Sequence, residues 1–524
     1  MSEPIRLIPY PQFLKPISGE FVWNKPNLNF DAPYFEEANF FTNHLPGLLS
    51  IEHDEERPCK ICLVAEKPQS ARSEAYQLKI TPSEIMLTAA STAGMFYALQ
   101  TLLQLIKSQS PKENTTIISL PCMEIIDQPR FSWRGFMLDE ARHFFGKKTV
   151  KQILNWMAYL KLNTFHWHLT DDQGWRLESL KYPLLTENGA YRENSQTSGL
   201  LQKKTNNLPH GGYYSQADIR EIVSYASERH INIVPEIEIP GHSLAALAAY
   251  PSFGCTGGPY QVTPFWGIHK EIYCPGKKGT IPFLEDILKE TIDLFPGKYI
   301  HIGGDEAPKN RWKNCPDCQS LSNQLGLNRV NDLQTYLTNH FTQFLASHNR
   351  HTIGWNEILS PQLNPDTIVQ YWVGKEKTLL QQIRAGRKTI LSNYRAYYLD
   401  HGYLHSPLDF VYKYEPVSPD LEPEFHENIL GIETPLWTEF VPNKARLDWQ
   451  LFPRLFAIAE TAWLMPEKKD NEFFKSRLKN FLPEFDQNNI LFAPPETWEP
   501  PQWKRLWGWP SLLQAQTASV NETK

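Results

Sequence analysis

Asp305 and Glu306 are the two neighbouring carboxyl groups of this chain that are best placed for acid–base chemistry. They follow a Gly-Gly pair and the apolar residues Tyr299, Ile300 and Ile302. Successive side chains of a strand point to opposite faces, so neighbouring carboxylates reach one ligand only where the strand ends and the backbone turns. A carboxyl pair of unequal reach at a strand end suits proton transfer to and from a bound molecule. For the pair alone, a solvated acidic turn is the competing interpretation, because loops are polar and exposed.

The elements that must position this pair form a repeated order of strand, loop and helix. The eight predicted strands are Trp133–Asp139, Asn163–Leu169, Ile231–Ile239, Tyr299–Gly304, Thr352–Glu357, Thr367–Trp372, Lys388–Asn393 and Asn428–Pro435. The predicted helices among them include Phe145–Leu160, Gln216–Arg229 with Ser215 as N-cap, Asp332–His348 and Ala445–Trp463. Eight alternating units predict an α/β fold, a (β/α)8 TIM barrel. A doubly wound open sheet is the alternative, but it usually has a Gly-rich loop after its first strand, where this chain has Glu140 to His143.

A small α+β domain is predicted before the barrel. Tyr76–Ile80 and Glu84–Thr88 alternate like strands, and Ser91–Ile106 has apolar residues at helical spacing. We expect the N-terminal α+β domain to span residues 1–127 and the barrel to span residues 128–470. Residues 471–524 are expected to form a C-terminal extension that packs on the barrel.

Bulk composition narrows the class of protein. The 524 residues carry a formal net charge of −6, which argues against a nucleic-acid binder that relies on a basic surface. No apolar run reaches the length of roughly 20 residues that a membrane span needs. Met1 to Leu14 lack the apolar core of a signal segment, so the chain as written is expected in the cytoplasm, or exported if a signal was removed.

The seven cysteines do not form a dense disulfide framework. Cys59-x-x-Cys62 and Cys315-x-x-Cys318 could together make a four-thiolate zinc site. The two pairs lie far apart and fall in different predicted domains, so a local Cys315–Cys318 bridge or free thiols is the favoured interpretation. No cofactor is expected, and no metal ligand is assigned.

Polar and aromatic side chains recur at the predicted strand ends, where barrel enzymes keep their active sites. They are Arg134, Asp139, His166, His168, Asp171, Asp172, Glu236, Glu238, His242, Asp305, Glu306, Trp355, Glu357, Trp372, Tyr398, Asp400, Trp437 and Glu439. Singly, each has a structural explanation such as an internal ion pair or a core histidine. Together they make a ring of carboxylates and indoles that suits a pyranose, whose hydroxyls bind charged groups and whose C–H faces pack on Trp.

The motifs that carry these residues resemble glycoside hydrolase family 20, the β-N-acetylhexosaminidases. They are Trp133-Arg134-Gly135 with Asp139, Arg142-His143-Phe144, His166 to Trp175, Pro235 to His242, His301 to Ala307, Gly354-Trp355, Gln370-Tyr371-Trp372, Tyr398-Leu399-Asp400 and Leu436-Trp437-Thr438-Glu439. They occur in the family's order along the predicted barrel. The residues before the barrel resemble the α+β domain that commonly precedes it in this family.

The resemblance implies an exo-acting, retaining hydrolase that removes terminal non-reducing β-linked N-acetylglucosamine or N-acetylgalactosamine. Glu306 would protonate the glycosidic oxygen and later activate water. Asp305 would orient the substrate's 2-acetamido group, which attacks the anomeric carbon to form an oxazolinium intermediate. Tyr398 would donate a hydrogen bond to the acetamido carbonyl.

The same resemblance implies roles for the remaining site residues. Trp355, Trp372 and Trp437 would enclose the acetamido group and the sugar face. Arg134, Asp400 and Glu439 would hold ring hydroxyls. Asp172 and His242 would support the acid pair, with Asp171 able to take the place of Asp172. The expected partners are oligosaccharides or glycoconjugates that end in these sugars, without nucleic acid and without a membrane span.

Three other classes of function compete with this interpretation. His166-x-His168 at a strand end has the ligand spacing of a metal-dependent barrel hydrolase. Gly-Gly-Asp-Glu also begins the GGDEF signature of nucleotide cyclases, but Ala307 replaces the Phe and a barrel is the wrong fold for it. An inactive barrel that only binds sugar is the third class, which nothing favours because both acids are present.

Overall fold

The computed structural model describes residues 5–23, 28–45, 61–65, 73–109, 118–197 and 203–507. Within these residues, no helix is both long enough and apolar enough to cross a membrane. Cys59 of the first Cys-x-x-Cys motif and the last part of the predicted C-terminal extension lie outside the described residues.

Eight parallel strands close into a barrel. In chain order they are Trp133–Asp139, Thr164–His168, Asn232–Glu236, Tyr299–His301, His351–Trp355, Ile368–Tyr371, Thr389–Leu391 and Ile429–Leu436. The eighth strand pairs with the first in a parallel register that joins Gly431 to Trp133 and Leu436 to Leu138. The predicted (β/α)8 barrel is therefore confirmed, and the open doubly wound sheet is excluded because the sheet has no free edge.

Helices surround the barrel, and the longer ones pack apolar residues against it, with Arg454–Trp463 buried on all sides. Those between the first strand and residue 465 are Lys147–Tyr159, Leu184–Glu187, Gln216–Ser227, Leu244–Ala249, Thr280–Leu294, Asn310–Asn314, Pro316–Gln324, Leu333–Ser347, Glu376–Arg384, Tyr394–Tyr397, Leu408–Lys413, Lys444–Leu451 and Arg454–Trp463. In Thr280–Leu294, the buried Phe283, Leu284, Ile287 and Leu288 recur at helical spacing.

Local sequence signals account for two helix ends. Ser215 caps Gln216–Ser227 as predicted, and its hydroxyl and the Asp218 carboxylate form a reciprocal capping box. The prediction of a single helix over Ala445–Trp463 is wrong. The segment is two helices separated at Phe452-Pro453, because proline has no N–H to donate and its ring displaces the preceding turn.

The N-terminal part is a six-stranded mixed sheet covered by helices. Its strands, from one edge to the other, are Phe13–Trp23, Ile118–Asp127, Tyr76–Ile80, Ile85–Ala89, Ile61–Ala65 and Leu28–Phe30. The covering helices are Phe35–Asn43 and Thr92–Ser108. Ser91 accepts a hydrogen bond from the Gly94 N–H and so begins the second helix.

Short helices follow the last barrel helix. They are Asn471–Lys479, Leu482–Gln487, Pro495–Trp498 and Gln502–Trp507. The buried Arg477 guanidinium donates to both carboxylate oxygens of Glu460 at 2.7 and 2.8 Å and also to the Leu7 carbonyl. This bidentate pair joins the C-terminal segment, the last barrel helix and the N-terminus of the described chain.

Candidate active site

The acid pair lies where the fourth barrel strand turns into its loop. Gly303 and Gly304 have φ angles of 62° and 97°, and Glu306 has a φ of 42°. A Cβ added to Gly303 would lie 1.8 Å from a carboxylate oxygen of Glu238, so this position accepts only glycine. The left-handed backbone at Glu306 is costly for a residue with a side chain, and such strain concentrates at functional sites.

The two acids differ in their exposure. The Asp305 side chain is 12% exposed, whereas the Glu306 side chain is 36% exposed at the barrel mouth. Burial raises the pKa of Asp305 to about 7, and the carboxylates of Glu357 and Glu236 add to the rise while His242 opposes it. The turn therefore presents one carboxyl group to solvent and keeps the other in a dry environment.

His242 lies between the acid pair and a second pair of carboxylates. Its Nε2 is 3.7 Å from Asp305 and 3.8 Å from Glu306, while its Nδ1 is 3.2 Å from Asp171 and 3.4 Å from Asp172. Burial opposes the charge of the imidazole, but Asp171, Asp172 and Asp305 hold the pKa of His242 well above its usual range. A charged imidazolium thus links the loop after the second strand to the loop after the fourth.

Below the mouth, Glu236 is the centre of a buried hydrogen-bond network. It accepts from the indole N–H of Trp355 at 2.8 Å and lies 2.5 Å from His168 Nδ1 and 2.7 Å from His301 Nδ1. His166 bridges Glu236 at 3.0 Å and Glu433 at 2.7 Å. The network holds the Trp355 ring in one orientation.

Every ring nitrogen of the His166-x-His168 pair lies within 3.0 Å of a carboxylate oxygen. The two nitrogens of His166 face Glu433 and Glu236, and those of His168 face Glu236 and Asp171 within 3.0 Å. Burial alone would lower the pKa of His166, but the Glu433 and Glu236 carboxylates raise it to about 9. These histidines therefore neutralise buried carboxylates, which is a different role from the metal ligation considered from their spacing.

Four aromatic rings form a wall beside Asp305. The ring centroids of Trp355 and Trp437 are 5.8 Å apart, those of Trp437 and Tyr398 are 6.5 Å apart, and Tyr398 stacks on Trp372 at 5.8 Å. The Trp372 indole N–H donates to Glu357 at 2.9 Å. Burial raises the pKa of Tyr398 well above its usual range, so the hydroxyl keeps its proton and can donate it.

Two more carboxyl groups, Asp400 and Glu439, complete the mouth. Burial raises the pKa of each to about 7. The Arg142 guanidinium forms an ion pair with Asp171 at 2.8 Å and lies 4.9 Å from the Trp437 ring centroid. Arg142 Nη1 and Asp400 Oδ1 are buried polar atoms that have no hydrogen-bond partner among the described residues. A bound polar molecule would supply the missing partners.

Arg134 does not belong to this group. It is the second residue of the first barrel strand and therefore lies at the amino end of the barrel, opposite the mouth. Its guanidinium donates to Glu74 in a bidentate pair at 2.9 and 3.0 Å and also to the Tyr97 hydroxyl. At this position Arg134 cannot hold the ring hydroxyls of a sugar at the mouth, as the sequence interpretation expected. It joins the barrel to the N-terminal domain instead.

The arginine that the sequence interpretation missed is Arg142. It follows the carboxyl end of the same strand, eight residues after Arg134, and forms part of the Arg142-His143-Phe144 motif. Asp139 lies five residues after Arg134, which is about 16 Å along the strand, so the rule that sites lie at carboxyl ends favours Arg142. The other predicted site residues, Asp172, His242, Asp305, Glu306, Trp355, Trp372, Tyr398, Asp400, Trp437 and Glu439, all lie at the carboxyl-end face.

Comparison with known proteins matches the chain to one family. The family model "Glycosyl hydrolase family 20, catalytic domain" matches residues 131–466, and "Glycosyl hydrolase family 20, domain 2" matches residues 4–128. A beta-hexosaminidase of Porphyromonas gingivalis is 38% identical over 81% of this chain and 55% of its own length. One of Vibrio furnissii is 37% identical over 74% of this chain and 64% of its own length. The chain thus spans less than two thirds of these two relatives.

A solved structure has the same fold. The exo beta-N-acetylglucosaminidase of Vibrio harveyi, crystallised in complex with N-acetylglucosamine, superposes with a TM-score of 0.83 at 32% identity. The match covers 94% of this chain and 78% of that protein.

Replacement of Arg134 by methionine is expected to destabilise the protein without changing the mouth. The change leaves the Glu74 carboxylate, whose side chain is only 19% exposed, without its bidentate partner. We expect a loss of about 3 kcal/mol in the free energy of unfolding, at the low end for a broken buried pair because Glu74 is partly exposed. Thermal and denaturant unfolding measure it.

Arg329→Met is the matched control, since Arg329 forms an exposed ion pair with Asp332. Its effect should stay below about 1 kcal/mol. Equal stability of Arg134→Met and the unmodified protein would contradict the role of Arg134 at the domain junction.

Proposed function

The chain belongs to glycosyl hydrolase family 20, and from that membership we propose that it is an exo-acting, retaining β-N-acetylhexosaminidase. It removes terminal non-reducing β-linked N-acetylglucosamine or N-acetylgalactosamine from oligosaccharides or glycoconjugates. The observation that supports this most directly is the unequal exposure of the acid pair: Glu306 reaches the mouth, and Asp305 is buried against the ring wall.

The exposed carboxyl group of Glu306 carries the proton. It donates a proton to the glycosidic oxygen while the bond from that oxygen to the anomeric carbon breaks. The acetamido oxygen of the substrate forms the new bond to the anomeric carbon and gives the oxazolinium intermediate. Glu306, now a carboxylate, takes a proton from the water that opens this ring, which restores the acetamide and retains the configuration.

Asp305 acts on the acetamide and not on the anomeric carbon. When the acetamido oxygen attacks, positive charge develops on the amide nitrogen, and a carboxylate there stabilises it. The site is dry, so this interaction is stronger than it would be in water. His242 and the carboxylates behind it, Asp171 and Asp172, hold Asp305 in position.

The aromatic wall provides the geometry that an intramolecular nucleophile needs. An attached nucleophile gains a high effective concentration only if it is held near the reacting atom. Trp355, Trp372 and Trp437 enclose the acetamide methyl group and the sugar face, and the Tyr398 hydroxyl donates to the acetamide oxygen. Trp355 and Trp372 are themselves fixed by Glu236 and Glu357.

The remaining charged groups bind ring hydroxyls. Asp400 and Glu439 accept hydrogen bonds from hydroxyl groups, and their raised pKa values show that burial disfavours their charge until a partner arrives. Arg142 takes the role that the sequence interpretation gave to Arg134. Its Nη1 lies 3.5 Å from Asp139 but has no hydrogen-bond partner among the described residues, so it is available to a sugar oxygen.

Glu306→Gln is expected to lower the hydrolysis of N,N′-diacetylchitobiose by roughly 100- to 10,000-fold, the range for loss of a general acid–base. The loss should be smaller for the first step with 4-nitrophenyl β-N-acetylglucosaminide, because nitrophenolate needs less protonation to leave. Burst and steady-state release of both products measure the two steps. The exposed Glu424→Gln is the control, and full activity of Glu306→Gln would overturn the assignment.

Asp305→Asn should lose activity and gain stability. The folded-state pKa of Asp305, about 7, lies above its usual value near 3.8. A raised carboxyl pKa favours the folded state at low pH, and that contribution is lost as the pH rises through about 7. At about pH 8 the buried charge therefore destabilises the unmodified protein, while asparagine carries none.

The melting temperature of Asp305→Asn should exceed that of the unmodified protein at about pH 8, and the difference should shrink towards about pH 5. The same variant should lose most of its kcat and its inhibition by a thiazoline analogue of the cyclised intermediate. A pH-independent difference in melting temperature would show that Asp305 does not titrate as described.

Arg142→Met and Arg134→Met form a matched pair for the sugar-binding role. Loss of a charge-assisted hydrogen bond of about 1.5–3 kcal/mol lowers kcat/KM roughly 10- to 100-fold. We expect that loss for Arg142→Met and less than about threefold change for Arg134→Met, measured below the melting temperature of both. A larger loss of kcat/KM for Arg134→Met than for Arg142→Met would show instead that Arg134 binds the sugar.

A further inference from the structure

Four cysteines from distant parts of the chain meet beside the loop of the acid pair. They are Cys255, Cys274, Cys315 and Cys318, and all four thiols are free. The sulfur of Cys274 is 3.4 Å from that of Cys318 and 3.7 Å from that of Cys315, while Cys255 and Cys318 are 3.8 Å apart. All four sulfur atoms lie within 4.8 Å of one another.

The arrangement fits the ligand shell of one tetrahedral metal ion. With zinc–sulfur bonds of about 2.3 Å, the sulfur atoms of a tetrahedral site lie about 3.8 Å apart. The two sulfurs of a disulfide are only about 2.0 Å apart. The local bridge between Cys315 and Cys318 that the sequence favoured is therefore not formed, and the alternative of free thiols describes these cysteines. Cys62, the described half of the other motif, is disulfide-bonded and lies elsewhere.

The backbone around the cluster supports thiolate charge. Cys315 immediately precedes the helix Pro316–Gln324, whose amino end favours a negative group. The Lys277 backbone N–H donates to the Cys274 carbonyl at 3.2 Å, which closes a turn of the backbone directly after this cysteine. Negative charge on the Cys315 sulfur is therefore favoured, and a metal-bound thiolate carries such a charge.

We propose that Cys255, Cys274, Cys315 and Cys318 bind one structural Zn²⁺ ion in a closed four-thiolate site. Thiolates select zinc over the hard ions magnesium and calcium. Cys274, Cys315 and Cys318 are buried, and Cys255 is half-buried. Four protein ligands leave no position for water or substrate, which is the pattern of a structural site and not of a catalytic one. This proposal replaces the sequence-based expectation that no metal is bound.

The ion would hold together two loops that form the active site. Cys255 and Cys274 lie on the long connection after the third barrel strand, and Cys315 and Cys318 follow the acid pair. The two segments already touch: the Trp312 indole donates to the Tyr273 carbonyl at 2.8 Å. A Cβ added to Gly276 would lie 2.2 Å from the Asp317 carbonyl carbon.

A short series of backbone contacts connects the four cysteines to His242. The Tyr273 N–H donates to the Pro240 carbonyl at 3.1 Å, and Gly241 packs against Ala307 and the Asp305 carbonyl. A cross-link between the two segments therefore fixes His242 relative to the acid pair. This structural role does not depend on which sugar the protein cleaves.

Metal analysis of the purified 524-residue chain tests the proposal. We expect one zinc per chain after dialysis, and a cobalt-substituted protein with the intense visible and sulfur-to-metal bands of a tetrahedral thiolate site. Stoichiometric iron, two disulfides in mass spectra of the alkylated protein, or four free thiols without metal would each overturn the zinc assignment.

Single substitutions separate metal binding from general damage to the fold. Cys274→Ser and Cys318→Ser should lose the zinc and lower the melting temperature by about 5 °C or more. Cys122→Ser, which alters a buried free thiol in the N-terminal sheet, should keep the zinc. Cys255→His should also keep it, because histidine can replace one thiolate in such sites and Cys255 is the half-buried ligand. Loss of zinc from Cys122→Ser, or its full retention in Cys274→Ser, would contradict the proposal.

Discussion

The active site depends on one buried imidazolium, that of His242, placed among four carboxyl groups. Asp171 and Asp172 lie on one side of it and Asp305 and Glu306 on the other. A carboxylate taken out of water costs several kcal/mol unless it is paired. The raised pKa of Asp305 shows that the pairing at the mouth is incomplete. A substrate that develops positive charge next to Asp305 completes this pairing.

The same electrostatic argument explains why the arrangement of the site lowers the stability of the protein when no substrate is bound. Asp400 and Glu439 have pKa values raised to about 7, and Glu306 has a left-handed backbone. Each feature costs stability in the absence of substrate. The network below the mouth, where Glu236 and Glu433 are paired with three histidines, offsets this loss of stability. The close-packed barrel also offsets it. Stability is thus concentrated beneath the mouth, and reactivity is left at its surface.

Most of the fold could be predicted from the sequence, because the barrel strands are short segments rich in apolar residues and alternate with helical segments. The acid pair and the indoles could be placed because strand ends converge on one face. Arg134 was misplaced because its motif was considered without its position along the strand. The meeting of Cys255 and Cys274 with Cys315 and Cys318 could not be predicted, because it depends on the path of a long loop that has no periodic pattern.

That long loop decides how accurately the site is held. The barrel fixes where the third and fourth strands end, but not the angle at which His242 approaches Asp305. A displacement of about 1 Å in a positioning group can cost roughly 100-fold in rate. The two segments share the hydrogen bond from Trp312 to Tyr273 and the contact of Gly241 with Ala307. They also share two ion pairs, Arg311 with Glu271 and Lys277 with Asp317, and the four cysteines. Hydrogen bonds between loops exchange readily with water, whereas four metal–sulfur bonds do not. A bound ion would therefore give the loops the rigidity that the barrel gives the strands, and the spacing of His242 from the acid pair would no longer depend on loop packing alone.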